Sequence, residues 1–138
     1  MNEMGEGPLI SIVDDDESVR ESLPDLLRLF GFTVQAFASG EEFLASDSVD
    51  HTKCLVLDIA MPGMSGPDLQ QELVLRRRDI QIIFITALED EMERPLMDQH
   101  GTVACLLKPF SESALLDALT VALPNEMRTI RLQIASSA

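Results

Sequence analysis

The chain has 138 residues, enough for one domain with a buried core. Its formal net charge is −14, from 24 acidic against 10 basic residues, a surface that repels nucleic-acid phosphates and argues against direct DNA or RNA binding. No uninterrupted apolar stretch approaches the ~18 residues that span a bilayer, and the acidic, Gly-rich start carries no signal-peptide core, so a cytoplasmic protein with no membrane contact is expected.

Residues 1–8 read as a flexible arm. Leu9-Ile10-Ser11-Ile12-Val13 is a short apolar strand. From Glu17 to Phe30, Val19, Leu23, Leu26, Leu27 and Phe30 recur at helical spacing until Gly31 ends the helix; Pro24 inside it should kink or weaken a turn. Asp16 suits the N-cap of that helix. Thr33 to Phe37 alternates like an edge strand, and Ser39-Gly40-Glu41-Glu42 is a capping box opening a short helix. Cys54 to Leu57 is a third, continuously apolar strand. Pro67 marks the first turn of a helix running to about Arg77, and Arg76-Arg77-Arg78 complements its macrodipole. Asp79 suits a turn. Ile80 to Ile85 and Ala104 to Leu107 are the last two strands. Between them, Glu89 to His100 is rich in acids and interrupted by Pro95, which predicts a short or frayed helix. Ser111 caps a final helix stopped by Pro124. Beyond it, residues 124–138 are a tail in which Met127, Ile130, Leu132 and Ile134 suit either a short amphipathic helix or a disordered end.

Strands alternating with helices, the middle strands apolar throughout, indicate an α/β protein with a doubly wound parallel sheet covered on both faces. Ligands of such sheets bind beyond the carboxyl ends of the strands. Four of the five expected strands end there in a reactive side chain: Asp14-Asp15 after the first, Asp58 after the third, Thr86 after the fourth and Lys108 after the fifth. Carboxylates that crowd together raise one another's pKa unless a cation neutralises them, and Mg2+ suits an all-oxygen site. Lys108 and Thr86 then form the complementary half, an ammonium and a hydroxyl placed to hold phosphoryl oxygens. Taken singly, Asp14 and Asp15 also fit helix-start acids, Lys108 a surface lysine, and Thr86 is uninformative. Cys54 and Cys105 read as small strand hydrophobes with no zinc spacing, and His51 and His100 have no ligand-spaced partner.

The strings IVDDDESVR, LVLDIAMPGMSG, IFITA and LLKPF, in this order and spacing, resemble the receiver domains of bacterial response regulators over residues 9–123. The resemblance implies a flavodoxin-like five-stranded sheet of order 2-1-3-4-5. It implies that Asp58 accepts a phosphoryl group from a sensor histidine kinase or a histidine phosphotransfer protein. By the same resemblance Asp14, Asp15, Asp58 and the backbone carbonyl of Ala60 hold Mg2+, Thr86 and Lys108 contact the phosphoryl group, and Pro109 sets the Lys108 loop, often through a cis bond. The chain would then be a phosphorylated signalling protein rather than an enzyme, with a homodimer as one possible assembly. Two features depart from the pattern. Cys105 stands where receivers carry an aromatic three residues before the lysine, and Leu88 to Pro95 replaces an Ala-rich amphipathic run. They leave a pseudo-receiver, a protein-binding module without phosphate turnover, as one rival reading. A phosphatase of the haloacid-dehalogenase type is the other, although it needs an acid two residues after its nucleophile, where this chain has Ala60.

Overall fold

The third strand, β3 (Thr52–Asp58), organises the molecule, because every residue from Cys54 to Asp58 is buried. Around it lie β1 (Leu9–Val13), β2 (Thr33–Phe37), β4 (Gln81–Thr86) and β5 (Thr102–Leu107), all parallel, in the order β2-β1-β3-β4-β5. The order expected from the resemblance is the one observed. The computed structural model describes residues 7–87 and 101–137, with side chains placed through residue 132. The arm at residues 1–6, the helix expected within Glu89 to His100 with its Pro95, and the side chain of Ile134 lie outside the described residues.

The alternation of β3 side chains divides the core in two. Cys54 and Val56 face α1 (Glu17–Leu29), α4 (Glu112–Ala122) and α5 (Pro124–Ser137), packing with Leu27, Leu115, Leu119 and Met127. Leu55 and Leu57 face α2 (Gly40–Leu44) and α3 (Gly66–Leu75), packing with Phe43, Leu69 and Leu73. A strand buried on both faces has to be apolar at successive positions, which is why this stretch reads as a run rather than an alternation. Each Leu or Ile taken fully out of water contributes ~2 kcal/mol before entropy is counted. The polar residue within β1 is satisfied: Ser11 Oγ lies 2.7 Å from Thr52 Oγ1, whose hydroxyl donates to the Ser48 carbonyl at 2.7 Å.

Local signals act largely as expected, with several differences. Asp16 caps α1 through the Ser18 amide at 3.0 Å, and Gly31 (φ 98°) follows the helix end. The helix continues through Pro24, whose ring is buried and whose missing N–H costs one bond rather than ending the element. Ser39 accepts from the Glu42 amide at 3.1 Å, but the Glu42 carboxylate takes the Ala38 amide instead of returning to Ser39. The full reciprocal box belongs to α3, where Ser65 and Asp68 exchange bonds of 3.2 and 3.1 Å. A 3-10 turn, Asp47–Asp50, precedes β3 where no element was read. Pro124 both stops α4 and opens α5, in keeping with proline's fitness for a first helical turn. Of the expected tail residues, Met127 is fully buried, Ile130 packs against the core and Leu132 is exposed.

Candidate functional site

Strand pairing gathers the reactive residues at one edge. Val13 pairs with Leu57, so Asp14, one residue on, lies beside Asp58 at the end of β3. Asp58 pairs with Ile85, and Thr86 with Leu107, which puts Thr86 and Lys108 at the same edge. Carboxylate oxygens of Asp14, Asp15 and Asp58 all lie within 4.8 Å of one another. Asp14, Asp58 and Thr86 are buried, whereas Asp15 is exposed. Ala60 is an exposed residue of the loop between β3 and α3.

The turn that follows Asp58 depends on Gly66. A Cβ there would collide with the Asp58 carbonyl oxygen, and the Gly66 amide donates to the Ile59 carbonyl at 2.9 Å. Gly63 supplies a positive φ of 76° earlier in the same turn. At the other side of the site, Lys108 follows β5, its amide donates to the Thr86 carbonyl at 2.7 Å, and its bond to Pro109 is cis.

Lys108 Nζ lies 2.7 Å from Asp14 Oδ2 and 3.8 Å from Asp58 Oδ2, with its side chain only 17% exposed. The two acids respond differently. Asp14 Oδ1 accepts the Asp16 amide at 2.9 Å. Its Oδ2 is buried and satisfied by no well-aligned hydrogen bond, so the Lys108 contact is an ion pair. The pKa of Asp58 is pushed up to about 7 by burial first and by the Asp14 charge next, with Lys108 pulling the other way. Burial also works against the Lys108 ammonium, but contact with Asp14 and the charges of Asp58 and Asp16 outweigh it and raise its pKa. A buried Asp14 oxygen met only by the Lys108 ammonium, an Asp58 carboxyl whose pKa burial raises, and an all-oxygen triad together fit a hard divalent cation.

Every residue picked from strand ends, Asp14, Asp15, Asp58, Thr86 and Lys108, stands at this edge. One contact was missed: Arg20 Nη1 donates to the Asp14 carbonyl at 3.0 Å. The available signal was that Arg20 is the first basic residue of the chain and follows four consecutive acids at one helical turn from the Asp16 cap. Beside Lys108, α1 and the loop after β5 enclose a cleft of about 580 Å³ lined by Val19, Leu23, Leu26 and Phe110.

Comparison with known proteins places these features in one signalling class. The chain belongs to the response regulator receiver domain family, whose model matches residues 10–120. It is 42% identical over 120 residues to Nodulation protein W of Bradyrhizobium diazoefficiens, an alignment covering 87% of this chain and 53% of the relative. The chain thus spans about half the length of the curated relatives it matches. Among solved structures it is similar to response regulator StyR, with a TM-score of 0.78 and 41% identity, covering 94% of this chain and 66% of that one. It is also similar to response regulator TrrA of Thermotoga maritima, solved in complex with Mg2+-BeF, with a TM-score of 0.73 and 27% identity over 85% of this chain and all of that one. Among the described residues no helix is long and apolar enough to cross a membrane.

Proposed function

We propose that this domain is a phosphoacceptor switch of a two-component relay, with Asp58 as the acceptor and a histidine kinase or histidine phosphotransfer protein as the donor. The observation that carries the reading is the convergence of three carboxylates within 4.8 Å, with the Lys108 ammonium 3.8 Å from Asp58. An Asp58 carboxylate oxygen attacks the phosphorus of a phosphohistidine. The P–O bond forms as the P–N bond breaks, and the imidazole leaves with a proton. Water later cleaves the acyl phosphate, returning the carboxylate and inorganic phosphate.

Asp14, Asp15, Asp58 and the carbonyl of Ala60 would hold Mg2+, which supplies positive charge against the carboxylates and the phosphoryl oxygens. Its support is the triad itself and the buried Asp14 oxygen. Lys108 exchanges its Asp14 contact for a phosphoryl oxygen, and the Thr86 hydroxyl donates to another. The apolar cleft between α1 and the loop after β5 opens beside Lys108 and offers a donor protein a surface next to the reacting atoms.

The test is incubation with Mg2+ and a small phosphodonor, followed by intact mass. One hydroxylamine-labile phosphoryl group is expected, absent from Asp58→Asn and absent without Mg2+. An unmodified parent chain, or equal labelling of Asp58→Asn, overturns the reading.

A further inference from the structure

The acidic turn between β1 and α1 is tied at several points, some of them from neighbouring elements. The Asp14 amide donates to the Phe37 carbonyl of β2 at 3.1 Å. Its Oδ1 accepts the Asp16 amide at 2.9 Å, which closes a local turn, and Asp16 caps the helix that follows. The Asp14 carbonyl is left, and the guanidinium of Arg20 takes it at 3.0 Å. Helical side chains lean toward the N-terminus, so a long residue one turn into α1 reaches back over the helix start. Of Asp14's polar atoms, Oδ2 is then the one turned over wholly to cations.

A carbonyl belongs to the peptide plane that joins its residue to the next. Fixing the Asp14 carbonyl therefore fixes the plane between Asp14 and Asp15. The two residues differ in what else holds them: Asp14 is buried, whereas Asp15 is exposed. The backbone that carries Asp15 sets where its side chain leaves the chain, and so which positions its carboxylate can reach.

We propose that Arg20 is the positioning residue of the cation site: by gripping the Asp14 carbonyl it holds the Asp14–Asp15 peptide so that both carboxylates face Asp58 before any cation arrives. This rests on the Mg2+ reading above. Two opposite effects compete at this position. As a clamp, Arg20 raises Mg2+ affinity by sparing the ligands reorganisation. As a bare positive charge near a cation site, it lowers that affinity. The half-buried side chain and the direct 3.0 Å bond favour the clamp.

The same helix supplies a control. Arg28, two turns further on, donates from Nη2 to the Val34 carbonyl of β2 at 3.1 Å, a bond of the same kind remote from the acids. The experiment is Mg2+ titration by calorimetry of the parent, Arg20→Ala, Arg20→Lys and Arg28→Ala. It is paired with amide exchange at Asp15 and Asp16 in metal-free protein. Arg20→Ala is expected to weaken Mg2+ binding about tenfold. Arg20→Lys should fall nearly as far, since an ammonium keeps the charge but not the guanidinium's reach and fork. Arg28→Ala should bind as the parent does, and only the Arg20 variants should exchange faster at Asp15 and Asp16. Parental or tighter binding by Arg20→Ala, or an equal loss in Arg28→Ala, overturns the inference while leaving the Mg2+ reading intact. A parent chain that binds no Mg2+ sinks the Mg2+ reading, and the inference with it.

Discussion

β3 and β5 both deliver one charged residue to the same edge, yet they hold it differently. From Cys54 onward β3 is sealed on both faces, while every residue of β5 keeps contact with solvent. Asp58 thus ends the sealed strand, where burial and the Asp14 charge raise its pKa to about 7. The lysine follows an edge strand whose side chains are all at least partly exposed. On the phosphoacceptor reading proposed above, a central strand suits a nucleophile that stays in place, and an edge strand suits a cation that changes partners.

Removing the edge residue should break this division most clearly. Lys108→Ala takes away the cation shared by Asp14 and Asp58, and phosphorylation by a small phosphodonor should slow about 100-fold, read by intact mass over time. The same variant should melt lower than the parent in Mg2+-free buffer, because Asp14 is left buried with no cation beside it. A second pair of variants compares the strands themselves. Leu55→Ala opens a cavity in the sealed strand and should cost about 3 kcal/mol in chemical denaturation. Leu106→Ala, partly exposed on β5, should cost about 1 kcal/mol. Equal costs would erase the contrast.

The smallest effect uses the cysteines, one in each strand. Burial pushes the Cys54 thiol up to about 12, and a smaller burial raises Cys105 as well. A thiolate is the reactive form, so at pH 8 both are mostly protonated, and reactivity rises with pH toward each pKa. Native protein should therefore take up an alkylating reagent slowly at Cys105 and almost not at all at Cys54, with both reacting in denaturant, as peptide mapping will read. Faster labelling of Cys54 would mean that β3 opens more readily than β5.

Much of the site was legible because strand ends leave a simple trace: an apolar run stops at an acid, a threonine or a lysine. Asp58, Thr86 and Lys108 follow from that rule, and the Gly63 and Gly66 turn shows in the same string. The sheet was legible because both faces of β3 are covered. What escaped depends on reach rather than spacing. Arg20 stands out as the first basic residue after four acids, but the atom its side chain reaches, like the Ala38 amide that Glu42 takes in place of Ser39, is not written along the chain. The α3 capping box was hidden because Asp68 fills the place where a Glu or Gln is usually sought. Pro124 reads in sequence only as a stop, since a proline that ends one helix and begins another leaves the same trace.

The terminal helix α5 makes the domain a mount with a defined phase. Met127 is locked in the core and Arg131 Nη2 donates to Thr120 Oγ1 at 3.0 Å, so the helix leaves the sheet at a set angle. Each residue of α-helix advances ~1.5 Å and turns ~100°. A fluorophore or protein module joined through a helical continuation of Ser137 would therefore orbit the domain as the join is lengthened. Joins differing by seven residues would point it the same way, and joins differing by two would point it nearly backwards.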